Sequence, residues 1–136
     1  MKVINVMTPD PVSVEQSNTV LQAEEIMREQ NFRQLPVIKD KELIGIITDR
    51  DIRSFLGSDS FNTLEEQERA KTTKVASVMS NKPIILSPDD DLRDAVELLI
   101  DEKVGGIPVV DEKEGLVGIV TYVDALRCFL ERLDEG

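Results

Sequence analysis

Apolar positions along this chain fall into a helical register and a strand register, and the whole pattern occurs twice. Val20, Ala23 and Met27 recur at helical spacing, and so do Leu92, Ala95, Val96, Leu99 and Ile100. Spacings of i, i+3, i+4, i+7 and i+8 predict a helix with one buried face. Glu24, Glu25, Arg28 and Glu29 supply a solvated face to the first. Ser17 or Asn18 is placed to cap that helix, and Asp89 or Asp90 the second, because a short side-chain oxygen satisfies free N–H groups there. A strand, a polar turn and a second strand follow each helix. These are Leu35-Pro36-Val37-Ile38, Lys39-Asp40-Lys41-Glu42 and Leu43-Ile44-Gly45-Ile46-Ile47 in one case. In the other they are Ile107-Pro108-Val109-Val110, Asp111-Glu112-Lys113-Glu114-Gly115 and Leu116-Val117-Gly118-Ile119-Val120. Such a pattern predicts a hairpin, and strands apolar on both faces are expected to be largely buried. Each Pro suits a strand start or edge, where no ladder donor is required. A closing helix is expected in each case. Ile52, Phe55 and Leu56 form the first apolar stripe, stopped by Gly57. Val123, Leu126, Leu130 and Leu133 form the second, with Phe129 beside them.

The duplication extends upstream. Val6-Met7-Thr8-Pro9 and Val78-Met79-Ser80-Asn81 stand 72 positions apart, and Pro11, Val12 and Val14 match Pro83, Ile84 and Leu86. These are short extended pieces. The longer second turn moves the register to 73. The predicted fold is α/β of the α+β type, a β-α-β-β-α unit used twice, with copies at 1–57 and 75–136. A polar connection, 58–74, carries the capping-box pattern Thr63-Leu64-Glu65-Glu66. It predicts a short amphipathic helix from about Leu64 to Ala70 in a mobile surface linker. Either copy alone is too small to bury its apolar faces well, so the two are expected to pack with approximate two-fold symmetry.

Composition narrows the chemistry. The 136 residues carry a net charge of −11, which disfavours a partner bound through a phosphate backbone, so no nucleic acid is expected. There is one cysteine, Cys128, and no histidine. An internal disulfide, a Cys/His zinc site and histidine-dependent triads are thereby excluded. Cys128 lies within an apolar helical pattern and reads as a packing residue. No apolar run approaches the ~20 residues that span a bilayer, and the first residues lack a signal-peptide core. A cytoplasmic location without membrane contact is expected.

Candidate chemistry lies where each hairpin meets its closing helix, at Gly45-Ile46-Ile47-Thr48-Asp49-Arg50-Asp51 and Gly118-Ile119-Val120-Thr121-Tyr122-Val123-Asp124. Thr-x-x-Asp after a strand reads as a helix capping box. It also reads as a ligand site. A Gly inside a strand marks close approach of a ligand or of another backbone. A helix N-terminus beside a hydroxyl suits an anion, and a carboxylate one turn on can accept from both hydroxyls of a ribose. The same residues can do both.

Together these landmarks resemble those of the cystathionine-β-synthase (CBS) domain. Val6-Met7-Thr8-Pro9, Leu35-Pro36-Val37-Ile38 and Gly45 to Asp51 carry the resemblance in copy one. Val78-Met79-Ser80, Ile107-Pro108-Val109-Val110 and Gly118 to Asp124 carry it in copy two. The polar insert is similar to that of stand-alone CBS pairs of the acetoin-utilisation type. The resemblance implies a tandem pair, or Bateman module, that commonly forms a homodimer. It implies binding of AMP, ADP, ATP or S-adenosylmethionine in clefts between the domains. It assigns ribose to Asp51 and Asp124 and phosphate to Thr48 and Thr121, with Thr8, Pro9, Ser80, Pro36 and Pro108 lining adenine pockets.

The copies differ in charge. Arg50 and Arg53 start the closing helix of copy one and Arg33 precedes its strand, where copy two has Tyr122, Val123 and Gly105-Gly106. A guanidinium fork suits phosphate, though each Arg also reads as a surface charge. Copy one is expected to prefer a phosphorylated ligand. The function implied is a regulatory ligand sensor acting on a separate effector protein. The alternative is a constitutive dimerisation scaffold. No acid–base pair suggests an enzyme.

Overall fold

A computed structural model describes residues 1–57 and 63–136. In chain order the elements are β1 (Thr8–Pro9), β2 (Val14–Glu15), α1 (Val20–Gln30), β3 (Gln34–Lys39), β4 (Glu42–Thr48), α2 (Asp49–Leu56), α3 (Leu64–Thr72), α4 (Leu92–Glu102), β5 (Gly106–Asp111), β6 (Gly115–Thr121) and α5 (Tyr122–Glu135). Single 3-10 turns, Val3–Asn5 and Val75–Ser77, precede the two repeats of the strand–helix pattern.

The chain folds as two compact units, and these are not cut at 57 and 75. One comprises Val12–Pro83; the other joins Met1–Pro11 to Ile84–Gly136. Each repeat's lead segment therefore folds with the other repeat. Backbone pairing is the cause. Val3 N–H donates to the Asp90 carbonyl at 2.8 Å, and Leu92 N–H to that of Met1 at 2.8 Å. In the Val12–Pro83 unit, Val75 N–H donates to the Asn18 carbonyl at 2.8 Å and Val20 N–H to that of Thr73 at 2.9 Å. Val3 and Val75 are fully buried and anchor the segments.

Both sheets have the same plan. In the Val12–Pro83 unit β2 pairs parallel with β3, and β3 pairs antiparallel with β4. Ser80 then bridges Ile46 on β4. In the other unit Leu86 bridges Val109 in parallel, β5 pairs antiparallel with β6, and β1 lies antiparallel to β6. Pro36 and Pro108 sit inside central strands rather than at a start or edge. They are tolerated because the parallel neighbour is short: Val14 and Glu15 pair with Val37 and Ile38, beyond the proline.

Helix starts fall one residue later than the sequence suggested. Thr19 and Asp91 are the caps, with Thr19 and Gln22 forming a reciprocal capping box. Asn18 and Asp90 instead close the turn before the cap, accepting from Glu15 N at 2.7 Å and Ser87 N at 2.8 Å. Gly57 ends α2 in the left-handed conformation, as expected. The connecting helix forms over Leu64–Thr72, but its buried residue is Ala70, and Leu64 is exposed. Arg69 lies 4.6 Å over the Phe55 ring and donates to the Phe55 carbonyl at 2.9 Å, which ties α3 to α2. The expected linker residues 58–62 lie outside the described residues.

The closing helices differ most from expectation. In α2, Ile52 and Leu56 are buried. In α5, Val123, Leu126, Phe129, Leu130 and Leu133 are all exposed, Leu126 by 64%. The inward position is taken by Ala125, packed on the core, while Cys128 is half-buried. Ile100 of α4 is likewise exposed.

The strand glycines are set by backbone approach. A Cβ on Gly45 would stand 2.7 Å from the Ser80 carbonyl oxygen and 2.6 Å from the Met79 sulfur. On Gly118 it would meet the Met7 sulfur first and the Thr8 carbonyl oxygen at 3.0 Å. Overpacking of this kind costs about 1–3 kcal/mol. Gly45→Ala is expected to destabilise more than Gly118→Ala, because it faces fixed backbone more closely. Urea unfolding of both variants checks the order, and equal midpoints contradict it.

Candidate functional site

The two junctions share a scaffold. Each second hairpin strand ends in a Thr whose extended backbone makes it an N-cap, and the Asp three residues on completes a capping box. Asp51 N–H donates to Thr48 Oγ1 at 3.0 Å, and Thr48 N–H donates to Asp51 Oδ2 at 2.9 Å. Asp124 N–H donates to Thr121 Oγ1 at 3.3 Å, and Thr121 N–H to Asp124 Oδ2 at 2.8 Å. The capping reading of Thr-x-x-Asp is therefore correct at both places. The short Asp replaces the usual Glu or Gln without loss of the reciprocal bond.

Side chains around this shared frame diverge. At the first junction Asp51 and Thr48 are half-buried. Among the described residues, Asp51 Oδ1 accepts from no group and the Thr48 hydroxyl donates to none. Ser80 reaches this strand only through its backbone, with Ser80 N donating to the Ile46 carbonyl at 2.8 Å, and its side chain is exposed. At the second junction Asp124 is 6% exposed. Thr8 Oγ1 donates to its Oδ1 at 2.9 Å, and Thr121 Oγ1 donates to its Oδ2 at 3.0 Å. Thr8 thus stands beside Asp124, with β1 held on β6, and not with the repeat that follows it in sequence. Pro9 pairs opposite Gly118 and is exposed. Pro36 and Pro108 are buried.

Helix α2 does not offer a bare N-terminus. Asp49 N–H donates to the Arg33 carbonyl at 2.9 Å, and Arg50 N–H to Asp49 Oδ1 at 2.8 Å. With Asp51 N–H on Thr48, these backbone donors are taken, and Asp49 sits where an external anion would. The expected backbone anion site is closed. What remains for an anion is the Thr48 hydroxyl and the guanidinium of Arg50, which is exposed and forms no ion pair among the described residues. Arg53 is engaged by Asp49 at 3.1 Å.

In α5, Tyr122 occupies the place of Asp49, and its hydroxyl donates to the Leu99 carbonyl at 3.2 Å. A cavity of about 430 Å³ opens beside Asp124, lined by Met1, Asn5, Val6, Arg127, Cys128 and Glu131. Arg127 and Asn5 were not foreseen. The signal for Arg127 was its helical spacing from Asp124; Asn5 had none, because it comes from the exchanged lead segment. Cys128 lines this cavity and lies 3.6 Å from the Met1 sulfur, so it is not a sealed packing residue. Among the described residues no helix is long and apolar enough to cross a membrane.

Comparison with known proteins agrees with this frame. The sequence profile of the CBS domain matches residues 3–58 and again 75–131. An uncharacterized protein of Methanocaldococcus jannaschii, MJ1225, is 31% identical over 133 residues, covering 92% of this chain and 48% of that protein. This chain therefore spans about half of that relative. Inosine-5'-monophosphate dehydrogenase of Bifidobacterium longum is 32% identical over 123 residues, which cover 89% of this chain and 21% of the enzyme. Among solved structures, CBSX2 in complex with AMP superposes with a TM-score of 0.81 at 27% identity, covering 96% of this chain and 97% of that one. An acetoin utilization protein, AcuB, from Vibrio cholerae gives 0.82 at 27% identity, covering 98% and 93%.

Proposed function

This chain belongs to the CBS-domain family, and we propose that it serves there as a regulatory module that binds an adenosine nucleotide at its Asp51 junction. The carrying observation is the set of polar groups at that junction that have no partner among the described residues: Asp51 Oδ1, the Thr48 hydroxyl as donor and the Arg50 guanidinium. A carboxylate with a free oxygen accepts from ribose hydroxyls, and a hydroxyl beside an unpaired Arg suits phosphate. AMP, ADP, ATP and S-adenosylmethionine all bring the ribose diol; Thr48 and Arg50 favour those with a phosphate. The complex of the similar CBSX2 with AMP supports AMP as the first ligand to test. Thr121 and Asp124 are assigned the same roles at the second junction. Thr8 bonds Asp124, Pro9 pairs opposite Gly118 and Ser80 pairs opposite Ile46, while Pro36 and Pro108 are buried in the strands.

The role is regulatory rather than catalytic, because the groups at the junctions are caps and acceptors with no paired general acid and base. A ligand shifts the protein between states only by its differential affinity for them. Output to a separate effector protein, in the cytoplasm, completes the reading.

A homodimer is part of the proposal. Val123, Leu126, Leu130 and Leu133 are exposed on α5 at spacings of three, four and three, which read the same in either direction. A stripe that is its own reverse suits an isologous contact between two antiparallel copies of one helix. Exposed apolar faces of this kind mark interaction sites.

Two experiments test these statements. Titration calorimetry with AMP is expected to show binding that Asp51→Ala weakens about 10-fold to 100-fold, the scale of a lost hydrogen bond to a charged group. No binding of AMP, ATP or S-adenosylmethionine at millimolar concentration would leave the scaffold reading in its place. Sedimentation equilibrium is expected to give a dimer that Leu126→Glu with Leu130→Glu converts to monomer. A dimer unmoved by both charges rules out the α5 interface.

A further inference from the structure

The two junctions are not equivalent acceptors, and the difference can be counted. An ionised carboxylate offers about four lone-pair positions. Asp51 receives one donor among the described residues, the Thr48 N–H. Asp124 receives three: Thr8 Oγ1, Thr121 N–H and Thr121 Oγ1. A cis-diol brings two hydroxyl donors. Asp51 can take both with nothing displaced. Asp124 has room for one, so one of its own donors must leave first. Thr121 N–H and Thr121 Oγ1 both meet Oδ2 and belong to the helix cap, where Oγ1 also accepts from Asp124 N–H, so the position to be freed is on Oδ1. Thr8 is the donor that comes from elsewhere in the chain. It reaches Oδ1 from a two-residue strand held on β6.

We infer that Thr8 is a gate on the second junction: it holds the Asp124 carboxylate in the place a ribose hydroxyl would take. The Asp51 junction fills first, and the Asp124 junction admits a diol only when the Thr8–Asp124 bond opens. Thr8 is a positioning residue here, acting through Asp124. The inference rests on the proposed ribose role of the two aspartates. It adds an order of filling and a residue that sets it. Burial points the same way, since Asp124 is buried and Asp51 only half-buried. Among the described residues Ser80, at the position matching Thr8, bonds no carboxylate: its backbone alone engages β4 and the residue is exposed.

The test isolates the second junction in the Asp51→Ala variant and measures AMP and 2'-deoxy-AMP by calorimetry. With Thr8 present, the site is expected to treat the two ligands nearly alike, because only one acceptor position is open. Thr8→Val removes the competing donor. It is expected to tighten AMP by about threefold to tenfold, the scale of one net hydrogen bond, and to leave 2'-deoxy-AMP unchanged. Thr8→Ser keeps the hydroxyl and is expected to restore the weak, diol-blind site. Thr8→Ala removes the same donor and replaces the Val variant if circular dichroism shows the latter misfolded. Unchanged or weakened AMP binding in both hydroxyl-free variants, or equal tightening of both nucleotides, overturns the gate. If Asp51→Ala and Asp124→Ala each leave AMP binding at its wild-type strength, the ribose reading itself has failed, which is a different result.

Discussion

Contact between a glycine and a distant piece of backbone is what the rest of each unit depends on. Gly45 lets the Met79-Ser80 segment lie on β4, and Gly118 lets Met7-Thr8 lie on β6. A Cβ at Gly45 would press on the Ser80 carbonyl oxygen at 2.7 Å, and one at Gly118 would make the Met7 side chain shift. The segment is short and makes few bonds of its own, so its place is fixed by these bonds together with one buried anchor, Val75 or Val3. Closing so long a stretch of chain costs entropy that grows only slowly with its length. A few buried side chains and ladder bonds are then enough to hold it. The result is that neither repeat, as cut from the sequence, contains all of its own sheet.

Much of this was legible along the chain. The duplication, both hairpins, the Gly57 stop and both capping boxes follow from local spacing and local chemistry. The destination of the lead segments did not, because a Val-Met-Thr run carries no mark of which β-strand edge it will meet. The helix caps were misplaced by one residue for a related reason. Asn18 and Asp90 are good caps by type, but each is used one step earlier to close a turn, and two competent oxygens in a row do not say which takes which role.

The closing helix of the second repeat misled for a different reason. Its bulkiest residues form a regular stripe, and periodicity alone places such a stripe in a core. The repeat register held the correction. Ile52 aligns with Ala125, and this smaller residue is the one that packs on the core. Periodicity identifies that a helix has an apolar face. It does not say whether the core or another chain covers it.

A helix cap and a ligand site draw on the same atoms, so the question is how many of those atoms the cap leaves over. At Asp51 the cap uses one backbone donor and leaves most of the carboxylate open. At Asp124 the same cap is joined by two hydroxyls, and the group is buried and nearly saturated. A saturated carboxylate is a better structural element and a poorer receptor, because a hydrogen bond already made must be broken before a new one counts. Thr-x-x-Asp reads identically in both repeats. What separates them is where the hydroxyls are spent: Thr8 and Thr121 both donate to Asp124, whereas among the described residues Ser80 and Thr48 donate to no carboxylate. The exchange brings a hydroxyl residue to the strand of each junction, and only the Thr8 hydroxyl turns to the carboxylate.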